Sequence, residues 1–364
     1  MKASILALVT AVPPYAFDQA EIAQKLIDIF SLNPQKAEDI KQLYKSSAIH
    51  TRYSVISDLK KERQEWNFWG PEYPKTIPTT AQRNDVYKIE ASKLAYEAAA
   101  KALKAWGGKS EDISHVISVS CTGMVAPGIE FDLMQQLNLK PSTQRLGINF
   151  MGCFGAFKGL SVAQAFAKEN PKHRILLVCT ELCSLHLQAE QTLDNILANS
   201  LFSDGAAAVI VGAGSKSYET PLWEIHNNGS IALDNTIDKM RWEVGNHGFN
   251  MKLSHTVPVL LGRHITPFVQ SLVNSDFSYE NCDWAIHPGG KSIIQAIEKA
   301  LKLQEGLTKA SWDTLANYGN MSSATFLFVL HRILEQKSSK KWTLGLGFGP
   351  GLSVEGILLK RSNV

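Results

Sequence analysis

The sequence predicts an α/β protein with buried sheets, made of two similar halves fused without a linker. Short apolar runs rich in β-branched residues alternate with longer segments of helical periodicity, a pattern typical of sheets covered by helices. The 364 residues are 45% apolar and 20% charged, which suffices for two core units of ordinary size. We therefore expect a first half at residues 1–220 and a second half at residues 221–364.

The predicted strands are short apolar runs that end at Gly, Pro or polar turns. They lie at residues 115–120, 174–179, 207–211, 284–287 and 343–348. Helical spacing of apolar positions occurs over residues 87–102, 153–167 and 321–334. Because strands and helices alternate along the chain, we expect the sheets to be buried.

The N-terminal segment has two interpretations. Lys2 followed by the apolar run 5–12 resembles a signal peptide. Pro13 and Pro14 directly after this run are typical of a buried first strand that ends in a turn. Five cysteines, an odd number without metal-site spacing, favour reduced thiols in a cytoplasmic protein over export.

Charge and hydropathy exclude several classes of partner. The net charge of +3 is too small to indicate nucleic acid or a membrane surface as a partner. No apolar run reaches the ~20 residues of a membrane-spanning helix. No Cys or His spacing predicts a metal site.

The same succession of strand, turn and helix occurs twice. In the first half Cys121 ends a strand and Cys153 opens a helix 32 residues later; in the second half His287 ends a strand and Asn320 opens a helix 33 residues later. A duplicated unit would bring Cys153, His287 and Asn320 to one pocket between the halves. Coincidence is the alternative, because the motifs were chosen after inspection.

Cys153 lies where an apolar strand turns through Gly152 into a helix of small residues. Such an elbow exposes a nucleophile, and a helix N-terminus beside an imidazolium lowers a thiol pKa to roughly 3.5–7.5. We therefore expect a thiolate at Cys153. A buried core cysteine is the alternative interpretation.

His287 and Asn320 each lie at the end of a predicted element. His287 ends an apolar strand and is followed by Pro288, so its ring would point into a cleft at the strand ends. Asn320 follows Gly319 and opens an apolar helix, where its amide could hold an oxyanion. A hydrogen-bonded structural histidine and a helix N-cap are the respective alternatives.

Five segments in the same order carry a family resemblance. GCFGAF, LFSDGAAAVIVG, WAIHPGG, NYGNMSSA and GFGPGLSVE are similar to segments of type III polyketide synthases, the chalcone and stilbene synthase family. The resemblance runs from about Lys36 to the C-terminus. It implies a thiolase-like fold of duplicated five-layer αβαβα type, a homodimer, acyl-CoA and malonyl-CoA as substrates, and no metal or organic cofactor.

The resemblance also implies roles for individual residues. Cys153 would carry the acyl group, and His287 and Asn320 would complete the triad. Phe202 corresponds to the first gatekeeper phenylalanine and Phe249 to the second, with a length difference before Pro258. The remaining pocket residues implied are Thr122, Cys183, His186, Met240, Ser322, Gly347, Phe348, Gly349 and Pro350.

Two lysines match basic residues that contact coenzyme A phosphates in plant relatives. These are Lys41 and Lys45, whereas the third basic position is occupied by Glu38. We therefore expect phosphate binding to be rearranged around Lys36. A solvated helix face is the alternative for all of them.

Four pocket positions differ from the plant enzymes. Cys183 and His186 replace threonines, Ala126 replaces a methionine that enters the partner's pocket, and Met240 replaces a glycine. Bacterial relatives that make alkylpyrones, alkylresorcinols or naphthalene-type products share the segment ELCSL around Cys183. This similarity implies an apolar tunnel and a medium- or long-chain fatty acyl-CoA starter; a core cysteine without a function is the alternative.

The predicted chemistry is a decarboxylative Claisen condensation on an acyl-cysteine. Three alternatives remain: a ketoacyl synthase of fatty-acid synthesis, a papain-like protease with Cys, His and Asn in the same order, and an inactive acyl-binding scaffold. The GFGPG and GNMSS segments argue against the ketoacyl synthase. Gly147 occupies the position where a papain-like protease needs a glutamine.

Overall fold

The computed structural model describes residues 2–214, 216–273 and 277–362. The strands are β1 (Ala3–Ala11), β2 (Tyr15–Asp18), β3 (Thr51–Ser54), β4 (His115–Ser120), β5 (Gln144–Asn149), β6 (Arg174–Leu182), β7 (Asp204–Ala213), β8 (Trp223–Ala232), β9 (Met240–Gly245), β10 (Gly248–Leu253), β11 (Cys282–Ile286), β12 (Trp342–Gly349) and β13 (Ser353–Arg361). The helices are α1 (Gln19–Ile29), α2 (Pro34–Ser46), α3 (Thr80–Trp106), α4 (Ile129–Gln136), α5 (Gly155–Glu169), α6 (Leu193–Leu201), α7 (Val257–Leu272), α8 (Lys291–Leu301), α9 (Lys309–Tyr318) and α10 (Thr325–Glu335).

The main sheet consists of two half-sheets that share a four-strand arrangement, to which the first half-sheet adds β5. The first runs β1-β7-β6-β4-β5 and the second β8-β13-β12-β11. In both, the innermost pairs are antiparallel, and β4 and β11 run parallel to β6 and β12. The half-sheets meet where Ser4 and Ile5 of β1 pair with β8. All five strands predicted from sequence are confirmed, and the apolar run 5–12 lies mainly in β1.

The half-sheets and the helices that cover them form five layers, because side chains alternate along each strand and pack against helices on both faces. On β6, Leu176 and Val178 pack towards α3, whereas Ile175 and Leu177 pack towards α5. The layer between the half-sheets contains α5 and α10. Helices α7 and α8 cover the outer face of the second half-sheet. Because both faces of each half-sheet are buried, the strands read as nearly continuous apolar runs.

The repeat predicted from the sequence is confirmed at the level of secondary-structure elements. Cys153 and Asn320, however, do not occupy equivalent positions in the two halves. In each half, a one-turn 3₁₀ segment leads into the central helix: Gly152–Phe154 before α5, and Ser322–Ala324 before α10. Cys153 lies inside the first turn, whereas Asn320 lies two residues before the second. The element before the turn is β5 in the first half but α9 in the second, and this replacement shifts the register.

No helix in the described part of the chain is long and apolar enough to cross a membrane. Within residues 2–214, 216–273 and 277–362 there is also no group of three or more His, Cys, Asp or Glu side chains placed to hold a metal ion.

Candidate active site

Cys153, His287 and Asn320 line one cavity between the two halves, which we call the main cavity. Its empty volume is about 1180 Å³ including the open mouth. A smaller inner cavity lies beside Cys153, with an empty volume of about 350 Å³ including open solvent, and is bounded by Thr122, Ser322 and other side chains. A mostly apolar side chamber, with an empty volume of about 730 Å³ including open solvent, shares walls with it. The three spaces share Phe202 and Met251 as walls.

The backbone at Cys153 is a tight elbow. Phe150 and Gly152 have φ values of 57° and 78°, and the Gly152 N–H donates to Cys121 Sγ at 3.0 Å. Burial raises the pKa of Cys153 to about 11, while hydrogen bonds from Ser322 and Asn320 act in the opposite direction. Burial therefore opposes the thiolate that the elbow was expected to favour, whereas the hydrogen bonds from Ser322 and Asn320 favour it.

His287 is held by its backbone and has a free ring. Its N–H donates to Leu346 O at 2.8 Å, and its carbonyl accepts from Gly289 N at 3.0 Å. The side chain is 1% exposed, and neither ring nitrogen has a hydrogen-bond partner among the described residues. Burial lowers the pKa of His287 to about 3. A neutral imidazole with both nitrogens available thus lines the main cavity.

Asn320 acts as a cap and also lines the cavity. Its Oδ1 accepts from Ser322 N at 2.9 Å, as a capping residue would, and its Nδ2 donates to Gly289 O at a long 3.3 Å. Its main chain pairs with the segment around Phe202: Asn320 N donates to Leu201 O at 3.0 Å, and Ser203 N donates to Asn320 O at 2.9 Å. The backbones of Asn320 and Phe202 are therefore fixed to each other, and the side-chain amide of Asn320 is positioned with them.

Glu181 is a site residue that the sequence analysis missed. It is completely buried at the end of β6, where Oε2 accepts from Cys121 N at 2.9 Å and Thr122 Oγ1 at 2.8 Å. Its Oε1 accepts from the hydroxyl of Ser323 in the second half. Burial raises its pKa above the usual range, and these hydrogen bonds oppose the shift. A carboxylate inside an apolar strand was the available sequence signal.

His186 is a structural histidine within the described site. Its Nε2 lies 2.8 Å from Thr122 O, and its Nδ1 accepts from Phe249 N at 3.1 Å. The ring stacks on Phe249 at 4.1 Å between centroids. Burial lowers the pKa of His186 to about 3. The ring is thus neutral, and Nε2 carries the proton.

The pocket residues implied by the resemblance lie in different spaces. Phe202 and Met240 line the main cavity, whereas Phe249 lines only the side chamber. Met251, which the sequence analysis did not single out, borders all three spaces. Cys183 separates the inner cavity from the side chamber together with Trp242, which the sequence analysis also missed.

The GFGPG loop packs against the elbow. Phe348 lines the main cavity and Pro350 the inner cavity. Side chains at Gly347 and Gly349 would overlap the rings of Phe157 and Phe154, at 2.3 and 2.6 Å. These two glycines let β12 approach the start of α5 closely.

Lys41 and Lys45 are exposed and do not line the main cavity. On α2 the cavity is lined by Leu43 and Ser46. At about 100° per residue, both lysines lie on roughly the opposite side of the helix from Leu43. Their predicted contact with coenzyme A stays a prediction.

Comparisons with known proteins agree over the whole chain. Residues 1–215 match the family model for chalcone and stilbene synthases, N-terminal domain, and residues 224–363 match the C-terminal domain. The chain is 34% identical to "Probable polyketide synthase 1" of Dictyostelium discoideum over 98% of its length, and spans 11% of that protein. It is 31% identical to "Alpha-pyrone synthesis polyketide synthase-like Pks18" of Mycobacterium tuberculosis, covering 98% of this chain and 90% of that one.

The structural comparison points the same way. The crystal structure of the C-terminal type III polyketide synthase domain of "Steely1", a type I/III hybrid from Dictyostelium, superposes with a TM-score of 0.93 at 34% identity over 99% of each chain. The duplicated thiolase-like fold, with a cysteine elbow between its halves, defines a condensing acyltransferase. The chain belongs to the chalcone and stilbene synthase family and is a type III polyketide synthase, which condenses malonyl-CoA with loss of carbon dioxide. Its fold excludes the papain-like protease.

Gly152→Ala should lower condensing activity, whereas alanine at Gly107, a glycine with a similar positive φ, should not. A Cβ at Gly152 would lie 2.2 Å from Pro350 Cδ, whereas one at Gly107 meets nothing within 4 Å. The φ values are 78° and 79°, so each alanine variant should lose roughly 1–2 kcal/mol of unfolding free energy. Only Gly152→Ala should displace the elbow as well, and so lose most condensing activity. Equal stability losses with full activity in both variants would show that the elbow tolerates displacement.

Proposed function

We propose that this enzyme extends a medium- or long-chain fatty acyl group, held as a thioester on Cys153, by repeated condensation with malonyl-CoA. The product would be an alkylpyrone, an alkylresorcinol or a related polyketide. The observation that carries the proposal is that Cys183 borders both the inner cavity beside Cys153 and a mostly apolar side chamber. The mycobacterial relative named for alpha-pyrone synthesis supports the product class.

Loading begins from two neutral groups. Before the attack, the Cys153 proton passes to the His287 ring, and the resulting thiolate and imidazolium stabilise each other, which compensates for their burial. The thiolate then attacks the thioester carbonyl of the starter and the negative charge moves to the carbonyl oxygen. Coenzyme A leaves as a thiolate and takes the proton back, so that the acyl-enzyme forms with His287 neutral again.

Condensation uses His287 and Asn320 as hydrogen-bond donors. When malonyl-CoA loses carbon dioxide, the electrons of the broken C–C bond form an enolate, whose oxygen accepts from His287 and from Asn320 Nδ2. The enolate carbon then attacks the acyl carbonyl on Cys153, and the Cys153 thiolate leaves. Donors held in a buried site stabilise the enolate without a strong base.

The starter chain would follow the mostly apolar wall away from the mouth. Cys183 is 6% exposed and borders both the inner cavity and the side chamber, which includes Ile22, Ile56 and Leu59. Each methylene buried there contributes about 0.8 kcal/mol. The thiol of Cys183 serves as wall and not as a nucleophile, since burial holds its pKa well above the usual range.

The assembly proposed from the family resemblance is a homodimer in the cytoplasm. The exposed side chains of β5 support it, because this strand pairs only with β4 within the described residues and leaves an edge open. All five cysteines are free thiols, as expected in a reducing compartment.

Cys153→Ala should abolish condensation and leave the fold intact, because alanine fits the elbow but carries no acyl group. Decarboxylation of malonyl-CoA should be less affected, since His287 and Asn320 remain. Intact-protein and peptide mass spectrometry of the wild type after incubation with lauroyl-CoA should find one acyl group, on Cys153. Acylation of Cys183 instead would overturn the assignment.

Asn320→Asp should depress decarboxylation by on the order of 10²–10³ while acyl loading changes less. Aspartate keeps the Oδ1 that accepts from Ser322 N, so the cap survives while a negative charge meets the enolate oxygen. His287→Gln retains a donor and should keep part of the decarboxylation rate. Carbon dioxide release from labelled malonyl-CoA measures both effects. An Asn320→Asp enzyme as fast as the wild type would remove Asn320 from the oxyanion site.

Cys183→Phe should shorten the longest acyl chain that the enzyme accepts while sparing priming by acetyl-CoA. The larger ring would fill the passage between the inner cavity and the side chamber. Cys183→Ser is the matched control, because it keeps the size and should leave the chain-length profile nearly unchanged. Product profiles with acyl-CoAs of increasing length test this. An unchanged profile in Cys183→Phe, or wild-type lauroyl turnover no better than p-coumaroyl turnover, would exclude the tunnel.

A further inference from the structure

The mouth of the main cavity carries a lysine that the family resemblance did not indicate. Lys291, partly exposed, lines the cavity together with the exposed Ser292 and with Ser46 of α2. It is the one Lys or Arg among the described residues that line this cavity, and no Asp or Glu in the described chain lines it. The described structure gives its ammonium no ion pair.

The backbone at this position also favours an anion. Lys291 is the first residue of α8, an 11-residue helix whose N-cap, Gly290, provides no side-chain cap. The first turn contains no acidic residue. The N–H groups and partial positive charge of a helix N-terminus attract phosphate groups, and the lysine adds a full charge at the same place.

One short segment connects this mouth to the inner end of the cavity. His287 lies four residues before Lys291, is 1% exposed and lines the same cavity with both ring nitrogens free of partners among the described residues. The segment 287–291 therefore places one hydrogen-bond donor, His287, deep in the main cavity and another, Lys291, near its mouth. A ligand with an acceptor at one end and an anion at the other would match this arrangement.

A coenzyme A thioester has this distribution of charge. Its carbonyl lies at one end of a long uncharged pantetheine arm, and its phosphates lie at the other. When the carbonyl reaches Cys153, the arm occupies the cavity and the phosphates remain near the mouth. Lys41 and Lys45 lie on the far side of α2 from Leu43 and do not line this cavity.

We infer that Lys291, together with the N-terminus of α8, binds a phosphate group of the coenzyme A portion of the substrates. The inference rests on the proposed function in taking coenzyme A thioesters as substrates, and it does not depend on the identity of the starter. Lys291 binds the coenzyme A portion of the substrate and takes no part in the chemistry at Cys153.

Lys291→Met should raise the KM for malonyl-CoA decarboxylation by roughly tenfold, the effect of losing one charge-assisted hydrogen bond, with kcat nearly unchanged. The N-acetylcysteamine thioester of malonate lacks all phosphates, so its turnover should be the same in Lys291→Met and wild type. Lys291→Arg should restore most of the affinity for malonyl-CoA. Steady-state carbon dioxide release measures each value.

Lys299→Met is the matched control, because Lys299 is an exposed lysine of the same helix at its other end. It should leave both KM values unchanged. An equal loss with both thioesters in Lys291→Met would indicate structural damage and overturn the inference. So would an unchanged KM in Lys291→Met combined with a raised KM in a Lys41→Met, Lys45→Met double variant. Absence of carbon dioxide release from malonyl-CoA in the wild type would instead contradict the proposed reaction.

Discussion

The geometry of the site depends on one buried carboxylate, Glu181. Burying a carboxylate costs several kcal/mol unless it is surrounded by donors. Here the donors come from both halves of the chain: Cys121 and Thr122 from the first, and Ser323 from the second. Separation of the halves would remove the Ser323 donor and leave Oε1 of this buried carboxylate without it. The cost of breaking this hydrogen bond therefore helps to hold the halves together around the cavity.

The same contact sets the orientation of the elbow. Glu181 holds the backbone of Cys121, whose sulfur accepts the N–H of Gly152 beside Cys153. The indole of Trp242 donates to the Cys121 carbonyl at 2.7 Å, which connects the hairpin of β9 and β10 to this position. Cys121 occupies the strand end that corresponds to His287 in the second half. One copy of the repeat thus supplies a reactive ring, and the other a sulfur that supports the elbow.

Much of this arrangement could be predicted from sequence because it depends on local patterns. Strands buried on both faces leave apolar runs, and the glycine at 152 marks a turn that other residues would strain. The convergence of Cys153, His287 and Asn320 followed from the repeated spacing. Contacts made through tertiary packing left weaker signals: Met251 lines the main cavity, whereas Phe249 lines the side chamber. Likewise, the face on which Lys41 and Lys45 lie is set by how α2 packs.

The main-chain pairing between Asn320 and the residues flanking Phe202 has a consequence for how substrate range can change over evolution. If the space beside Phe202 widened through movement of the Phe202 backbone, the side-chain amide of Asn320 would move as well, and the reacting centre would be disturbed. The width of this space is therefore set by which side chain stands at Phe202 and its neighbours. Lineages of this enzyme can acquire new starters through single substitutions at the wall, while the framework that performs the chemistry stays constant.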